Sequence, residues 1–252
     1  MLRAALRLLR LLPCLAAGFA AAGFFPLLDP AARRRAIALW CRSLLWAVDV
    51  RLSRAGAAPR GPALVVANHV SWLDVAAIAS RTPATFVCKS EIAAWPGIGW
   101  LLERAGTIFI RRGRLRDVLR VNDLVRERLA RGETVVFFPE GTTTDGTFVL
   151  PFRSALFQPA AERGLPVCPA ALAYSTPAAI YVGDTSFAES LFAIAREPRL
   201  EASIAFTPAL ASADRKRAAR EARQAIVDAC RAPRFAEPAS GDRRKPLRLA
   251  RA

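Results

Sequence analysis

Apolar residues follow two rhythms along this chain. One is a series of short unbroken runs: "ALVVA" (63–67), "TFVCK" (85–89), "TIFI" (107–110), "TVVFF" (134–138), "VCPAALA" (167–173) and "EASIAF" (201–206). Runs of this length, rich in Val, Ile, Phe and Thr, predict strands buried on both faces. The other rhythm is helical. In "LRDVLRVNDLVRERLA" (115–130) apolar positions recur three and four residues apart, and further helical segments occupy 153–163 and 214–231. Buried strands alternating with helices predict an α/β fold, with a largely parallel sheet flanked by helices.

The N-terminal region follows a different plan. In "LRAALRLLRLL", Arg3, Arg7 and Arg10 fall on one helical face with leucines around the rest. That is the pattern of a helix lying in a membrane surface. Leu11 to Leu28 then holds 18 residues without a charge, just enough for a membrane span. A signal peptide, a single span and a two-helix motif that dips into one leaflet all fit this length. Arginines on both flanks, with Arg33–Arg35 on the far side, oppose the charge asymmetry of a single span. Pro26 and Pro30 mark a break before a second amphipathic stretch, in which Trp40 and Trp46 suit an interface. The expectation is therefore an amphipathic, membrane-associating two-helix region over 1–54, opening a linker-like "SRAGAAPRGP" (53–62). An α/β domain over 55–231 and a basic, disordered tail over 232–252 complete the plan.

Charge sharpens this division. The 252 residues carry a formal charge of +16 with 53% hydrophobic residues. Residues 1–60 hold ten arginines against two acids, or +8, and residues 232–252 hold six basic and two acidic residues, or +4. Only +4 is left for 61–231. An ordinary globular domain thus carries basic ends, which together with the amphipathic start point to an anionic membrane surface and not to nucleic acid. The five cysteines form no CxxC pair and read as reduced, small hydrophobes. One histidine and scattered thiols supply no standard metal-ligand set. The absence of GxGxxG, P-loop and GxSxG motifs argues against a dinucleotide enzyme, a P-loop NTPase and an α/β-hydrolase.

The single histidine stands in "NHVSWLD", five positions before Asp74. On one helix the two would point about 140° apart. They can meet if His69 lies in the loop after "ALVVA" and Asp74 in the first turn of the next helix. Ser71, three residues before Asp74, fits a capping box that starts that helix. Asp74 could then be a cap alone, and His69 a satisfied histidine. Alternatively, the carboxylate orients the imidazole as a general base. The loop after a parallel strand is where α/β folds place chemistry. No serine stands on a glycine-flanked elbow, so such a base would act on a substrate hydroxyl directly.

The blocks "NHVSWLD", "KSE", "GTIFIRR", "FFPEGTTTDG" with "LPFR", and "VCPAAL" occur in this order over about residues 61–175. Together they resemble the successive motifs of the PlsC-like glycerolipid acyltransferases, which include the 1-acylglycerol-3-phosphate acyltransferases. The resemblance implies an O-acyltransferase on the cytoplasmic face of the cell membrane. It would move a fatty acyl group from acyl-CoA or acyl carrier protein, as co-substrate, to the hydroxyl of a lysolipid. No other cofactor and no metal is implied. His69 would be the base and Asp74 its partner. Lys89, Arg112, Glu140, Gly141, Thr142 and Arg153 would form the acceptor site, and Pro169 would have an acyl-chain or structural role. Many lysophosphatidate-specific members carry arginine directly after "FPEGT", where this chain has Thr143. A 1-acylglycerol-3-phosphate-type acceptor is expected first and lyso-ornithine lipid as the alternative, with a lipid or thioester hydrolase behind both.

Overall fold

The computed structural model of this chain describes residues 2–111 and 113–232. Arg112 lies outside the described residues, as does all but the first residue of the expected tail. Every residue of "ALVVA" is buried in strand β2 (Ala63–Ala67). Its side chains alternate: Leu64 and Val66 join one core, while Ala63, Val65 and Ala67 join another on the opposite face. A strand apolar on both faces must lie in the middle of a covered sheet. β2 does so, pairing in parallel with β5 (Thr134–Phe137) and β6 (Val167–Tyr174).

Among the described residues the sheet has seven strands. β1 (Val50–Ala55) is at one edge, followed by β7 (Leu200–Phe206), β6, β2, β5, β3 (Ala84–Lys89) and β4 (Ile108–Ile110). Among the described residues, only β6 and β7 are antiparallel neighbouring strands. The largely parallel α/β sheet expected from the sequence is therefore present. Strand β1 was not expected. It occupies residues assigned to the helical region and to the linker, and crosses the boundary expected at 54/55. Its burial is confined to Val50 and Leu52, because an edge strand with one covered face carries a half-polar sequence.

Helices cover both faces. On one face α5 (Leu115–Ala130), α6 (Gln158–Glu162) and α8 (Arg215–Arg231) bury Val121, Val125, Ala160 and Ala222 against the strands. On the other lie α2 (Pro30–Ala47), α3 (Leu73–Ala79) and α7 (Phe187–Arg196), with α1 (Leu2–Phe24) packed on α2 and α7. A seven-residue helix, α4 (Ile98–Arg104), packs near α1.

The N-terminal pair forms the expected two-helix motif. A short 3-10 turn at Phe25–Leu27 ends the first helix, and Asp29 caps the second by accepting from the N–H groups of Ala31 and Ala32. The helices run antiparallel: the Trp40 indole donates to the Cys14 carbonyl at 2.8 Å, and Arg10 lies over Trp46. Gly18 makes this possible, since a Cβ there would meet the Trp40 indole at 2.3 Å. Leu2–Leu27 is long and apolar enough to cross a membrane by length and composition. Leu2, Leu9, Leu12 and Leu27 are all more than 60% exposed.

The expected basic face needs one correction. Arg7 is buried. Its guanidinium donates to the carbonyls of Ile194, Ala195 and Glu197 and to Asp49 at 2.7 Å. The cation therefore satisfies the open carbonyl end of α7, where the helix dipole favours positive charge. Helical spacing located the three arginines correctly but could not show that one had a partner roughly two hundred residues away.

Candidate functional site

β2 and β5 are adjacent and parallel, so the loops leaving their carboxyl ends meet over the sheet edge. Each holds the other. The Glu140 carboxylate accepts from the His69 backbone N–H at 2.7 Å and from the Leu150 N–H at 2.9 Å. From the other side, the Thr144 N–H donates to the His69 carbonyl at 2.8 Å. On the far flank of β2, Asn68 makes a two-way amide clamp, donating to the Leu172 carbonyl and accepting from its N–H. The backbone at His69 is thus fixed by three strands.

The His69 Nδ1 lies 2.8 Å from Asp74 Oδ2. Asp74 is completely buried, a placement that costs several kcal/mol unless the carboxylate is well paired. It is fully paired. Besides the imidazole, Oδ2 accepts from the Val70 and Ser71 N–H groups, at 2.7 and 2.9 Å. Oδ1 accepts from the Tyr174 hydroxyl at 2.6 Å. Burial and the adjacent Asp74 charge hold Tyr174 well above the usual tyrosine range, so it stays a donor. Phe138 stacks on the imidazole with centroids 4.0 Å apart and planes 14° apart. With Nδ1–H given to Asp74, the Nε2 lone pair is the free basic atom of a side chain that is 19% exposed.

The capping expectation is met by half. The Asp74 carboxylate accepts from Ser71 N–H, but the Ser71 hydroxyl accepts from Leu73 N–H, not from Asp74 N–H. The N-cap residue of α3 is Trp72. One carboxylate therefore stabilises the start of the helix and orients the histidine at once. Ser71 is itself fully buried. Burial pushes the Cys168 thiol up to about 11 and that of Cys41 to about 12. None of the three has the character of an activated nucleophile.

The Acyltransferase family model matches residues 49–173. A lyso-ornithine lipid O-acyltransferase of Pseudomonas aeruginosa is 38% identical over 239 residues, covering 89% of this chain and 92% of its own length. The chain belongs to the PlsC-like acyltransferase family. Another relative, a 1-acyl-sn-glycerol-3-phosphate acyltransferase of Neisseria meningitidis, is 44% identical over 147 residues, 58% of each chain. The crystal structure of the 1-acyl-sn-glycerophosphate (LPA) acyltransferase PlsC from Thermotoga maritima shares the fold. Its TM-score is 0.67 at 19% identity, covering 93% of this chain and all of that one.

The other expected site residues of this acyltransferase are distributed around that centre. Glu140 is buried, and both its oxygens are occupied by backbone N–H groups, so it is part of the scaffold of the His69 loop. Burial raises its carboxyl above the ordinary value, while the Leu150 and His69 donors oppose that shift. Gly141 has φ of 76°, and a Cβ there would lie 3.2 Å from the Arg153 guanidinium. Gly141 and Arg153 are thereby brought together. Thr142 is exposed next to them. Lys89 sits at the carboxyl end of β3, two strands from β2, and pairs with Glu91 at 3.2 Å. Pro169 is buried in β6, opposite Val66 of β2. Tyr174, Phe138 and Asn68 were not expected in these roles. Asn68 and Phe138 lay inside the quoted motif blocks, and Tyr174 two residues beyond one.

Proposed function

We propose that this enzyme transfers an acyl group from a thioester to the free hydroxyl of a lysolipid, with His69 as general base. The observation that carries the reading is the His69–Asp74 pair at the carboxyl end of β2, with Asp74 buried and saturated by donors. The acceptor hydroxyl gives its proton to Nε2 as its oxygen attacks the thioester carbonyl carbon. The Asp74 charge balances the imidazolium. The tetrahedral intermediate then collapses, the carbon–sulfur bond breaks, and the imidazolium returns the proton to the departing thiolate. No acyl-enzyme is needed, in keeping with the buried Ser71 and the raised Cys168 thiol.

For the acceptor, Thr143 and the relative matching along 92% of its length support lyso-ornithine lipid. A 1-acylglycerol-3-phosphate-type acceptor is the second reading, supported by the Neisseria relative at 44% identity and by the available guanidinium of Arg153. Incubating the purified protein with both lysolipids and both acyl-CoA and acyl carrier protein donors, then identifying products by mass spectrometry, tests these readings. Acylated lyso-ornithine lipid as the main product is the expected result. Free fatty acid as the main product would instead mark a hydrolase.

The same proposal places α1 and α2 in one leaflet of the cell membrane at its cytoplasmic face. The exposed leucines of α1 and the arginines on both sides of the apolar run support this. Reporter fusions before Leu2 and after Arg54 should both read cytoplasmic, and a periplasmic reading from either would overturn the arrangement.

A further inference from the structure

On the sheet face opposite α1 and α2, the exposed side of α8 borders a groove of about 360 Å³. Pro151, Phe152 and Ser154 form one wall, and Lys216, Arg220 and Arg223 the other. The three cations are spaced four and three residues apart, so they make one stripe about 10 Å long on the helix. Neither Lys216 nor Arg220 forms an ion pair with a described carboxylate. Asp214 caps the helix by accepting from the Lys216 backbone N–H and feels both charges. Glu221 engages Arg217, and Asp228 engages Gln224. The groove therefore presents two cations without a direct ion pair among the described residues, beside an aromatic ring.

This groove connects to the centre already described. The Arg223 guanidinium donates to the carbonyls of Val149 and Leu150. The Leu150 N–H donates to Glu140, and Glu140 accepts from the His69 N–H. Arg153, between Phe152 and Ser154, turns the other way onto Gly141. The Pro151–Ser154 segment is thus a partition, with the groove on one side and the His69 loop within three hydrogen bonds of the other.

We propose that this groove binds the anionic nucleotide end of a coenzyme A thioester, so that its thioester arm runs past Arg223 toward His69. The proposal rests on the thioester-donor reading above. Phosphates match a fork of arginine and lysine donors, and an adenine ring matches Phe152. The volume falls in the range of small-molecule sites, whereas a carrier protein needs an interface of roughly 1,000 Å² or more. A membrane surface is a poor occupant, because the exposed apolar helices α1 and α2 are on the opposite face. The lipid acceptor and the water-soluble donor would then enter from opposite faces of the sheet.

The probe is adenosine 3′,5′-bisphosphate, titrated calorimetrically into the full-length protein without turnover. It should bind and compete with acyl-CoA, and Lys216→Ala/Arg220→Ala should weaken both its binding and the apparent acyl-CoA affinity at least about tenfold. Both side chains are exposed and alanine is the best helix former, so α8 should fold unchanged. Arg215→Ala removes an exposed cation from the same helix outside the groove without releasing a carboxylate, and should change binding less than about twofold. Weakening by Arg215→Ala equal to that of either groove residue replaced singly would reduce the effect to general electrostatics and overturn the site. Loss of affinity for acyl carrier protein donors alone would overturn the nucleotide assignment. A protein that acylates lysolipid from acyl-CoA yet binds no bisphosphate sinks the groove and not the reaction. One that binds the bisphosphate at Lys216 and Arg220 but acylates nothing supports the groove and sinks the reaction.

Discussion

His69→Ala is expected to lower kcat by at least about 10² to 10⁴, the usual worth of general-base assistance, while the protein melts at nearly the wild-type temperature. The second half of that expectation comes from the hydrogen-bond pattern. The bonds that place the loop run through the His69 backbone, to Glu140 on one side and Thr144 on the other, and alanine keeps both. Asp74 loses one donor of four and retains Val70 N–H, Ser71 N–H and the Tyr174 hydroxyl. The stack on Phe138 disappears, but the side chain is already partly exposed, so little buried volume is left empty. Because the chain has one histidine, no second imidazole can take over the proton. Single-turnover rates with lysolipid-containing vesicles measure the effect on the chemical step. Activity within tenfold of wild type would overturn the proposed mechanism.

The elements read best in the sequence are those whose pattern and burial have the same cause. Strand β2 and helix α5 fall where expected, because a strand apolar on both faces and a strictly periodic helix are each decided locally. Strand β1 was missed because "VRLSRA" is an edge strand: its polar residues face solvent, and its register comes from β7, 150 residues away. Helix α7 carries a local mark, the reciprocal capping box of Ser186 and Glu189, but no long apolar run. At the site, His69 and Asp74 were legible since five residues and one loop join them. Tyr174 was not. It reaches Asp74 across 100 residues through the β6–β2 pairing, and nothing in its neighbourhood distinguishes it from an ordinary strand tyrosine. Similarly, Glu140 stood out as a motif residue, but only the fold shows that its partners are backbone N–H groups, including that of His69.

Asp74→Asn separates the two things this carboxylate does. The asparagine can be seated with its carbonyl oxygen at the Oδ2 position, where it still accepts from Val70 and Ser71 and starts α3 as before. Its amide then falls at the Oδ1 position, against the Tyr174 hydroxyl, which can rotate and accept in place of donating. The fold keeps its hydrogen bonds and loses only the charge. What disappears is the negative partner of the imidazolium, while the carbonyl oxygen, held at the Oδ2 position by the Val70 and Ser71 donors, still accepts from Nδ1–H. In serine proteases the corresponding replacement costs about 10⁴ through a wrong tautomer, which the Val70 and Ser71 donors disfavour here, so a smaller loss is expected. The expected loss here is smaller than for His69→Ala but still at least about 10² in kcat, with melting temperature and vesicle binding close to wild type. Adding Tyr174→Phe to this variant strands the buried amide and should cost about 1 to 3 kcal/mol in a denaturation experiment. Near-full activity of Asp74→Asn would leave Asp74 as a holder of the loop alone. A large loss of activity without loss of stability assigns it to the chemistry.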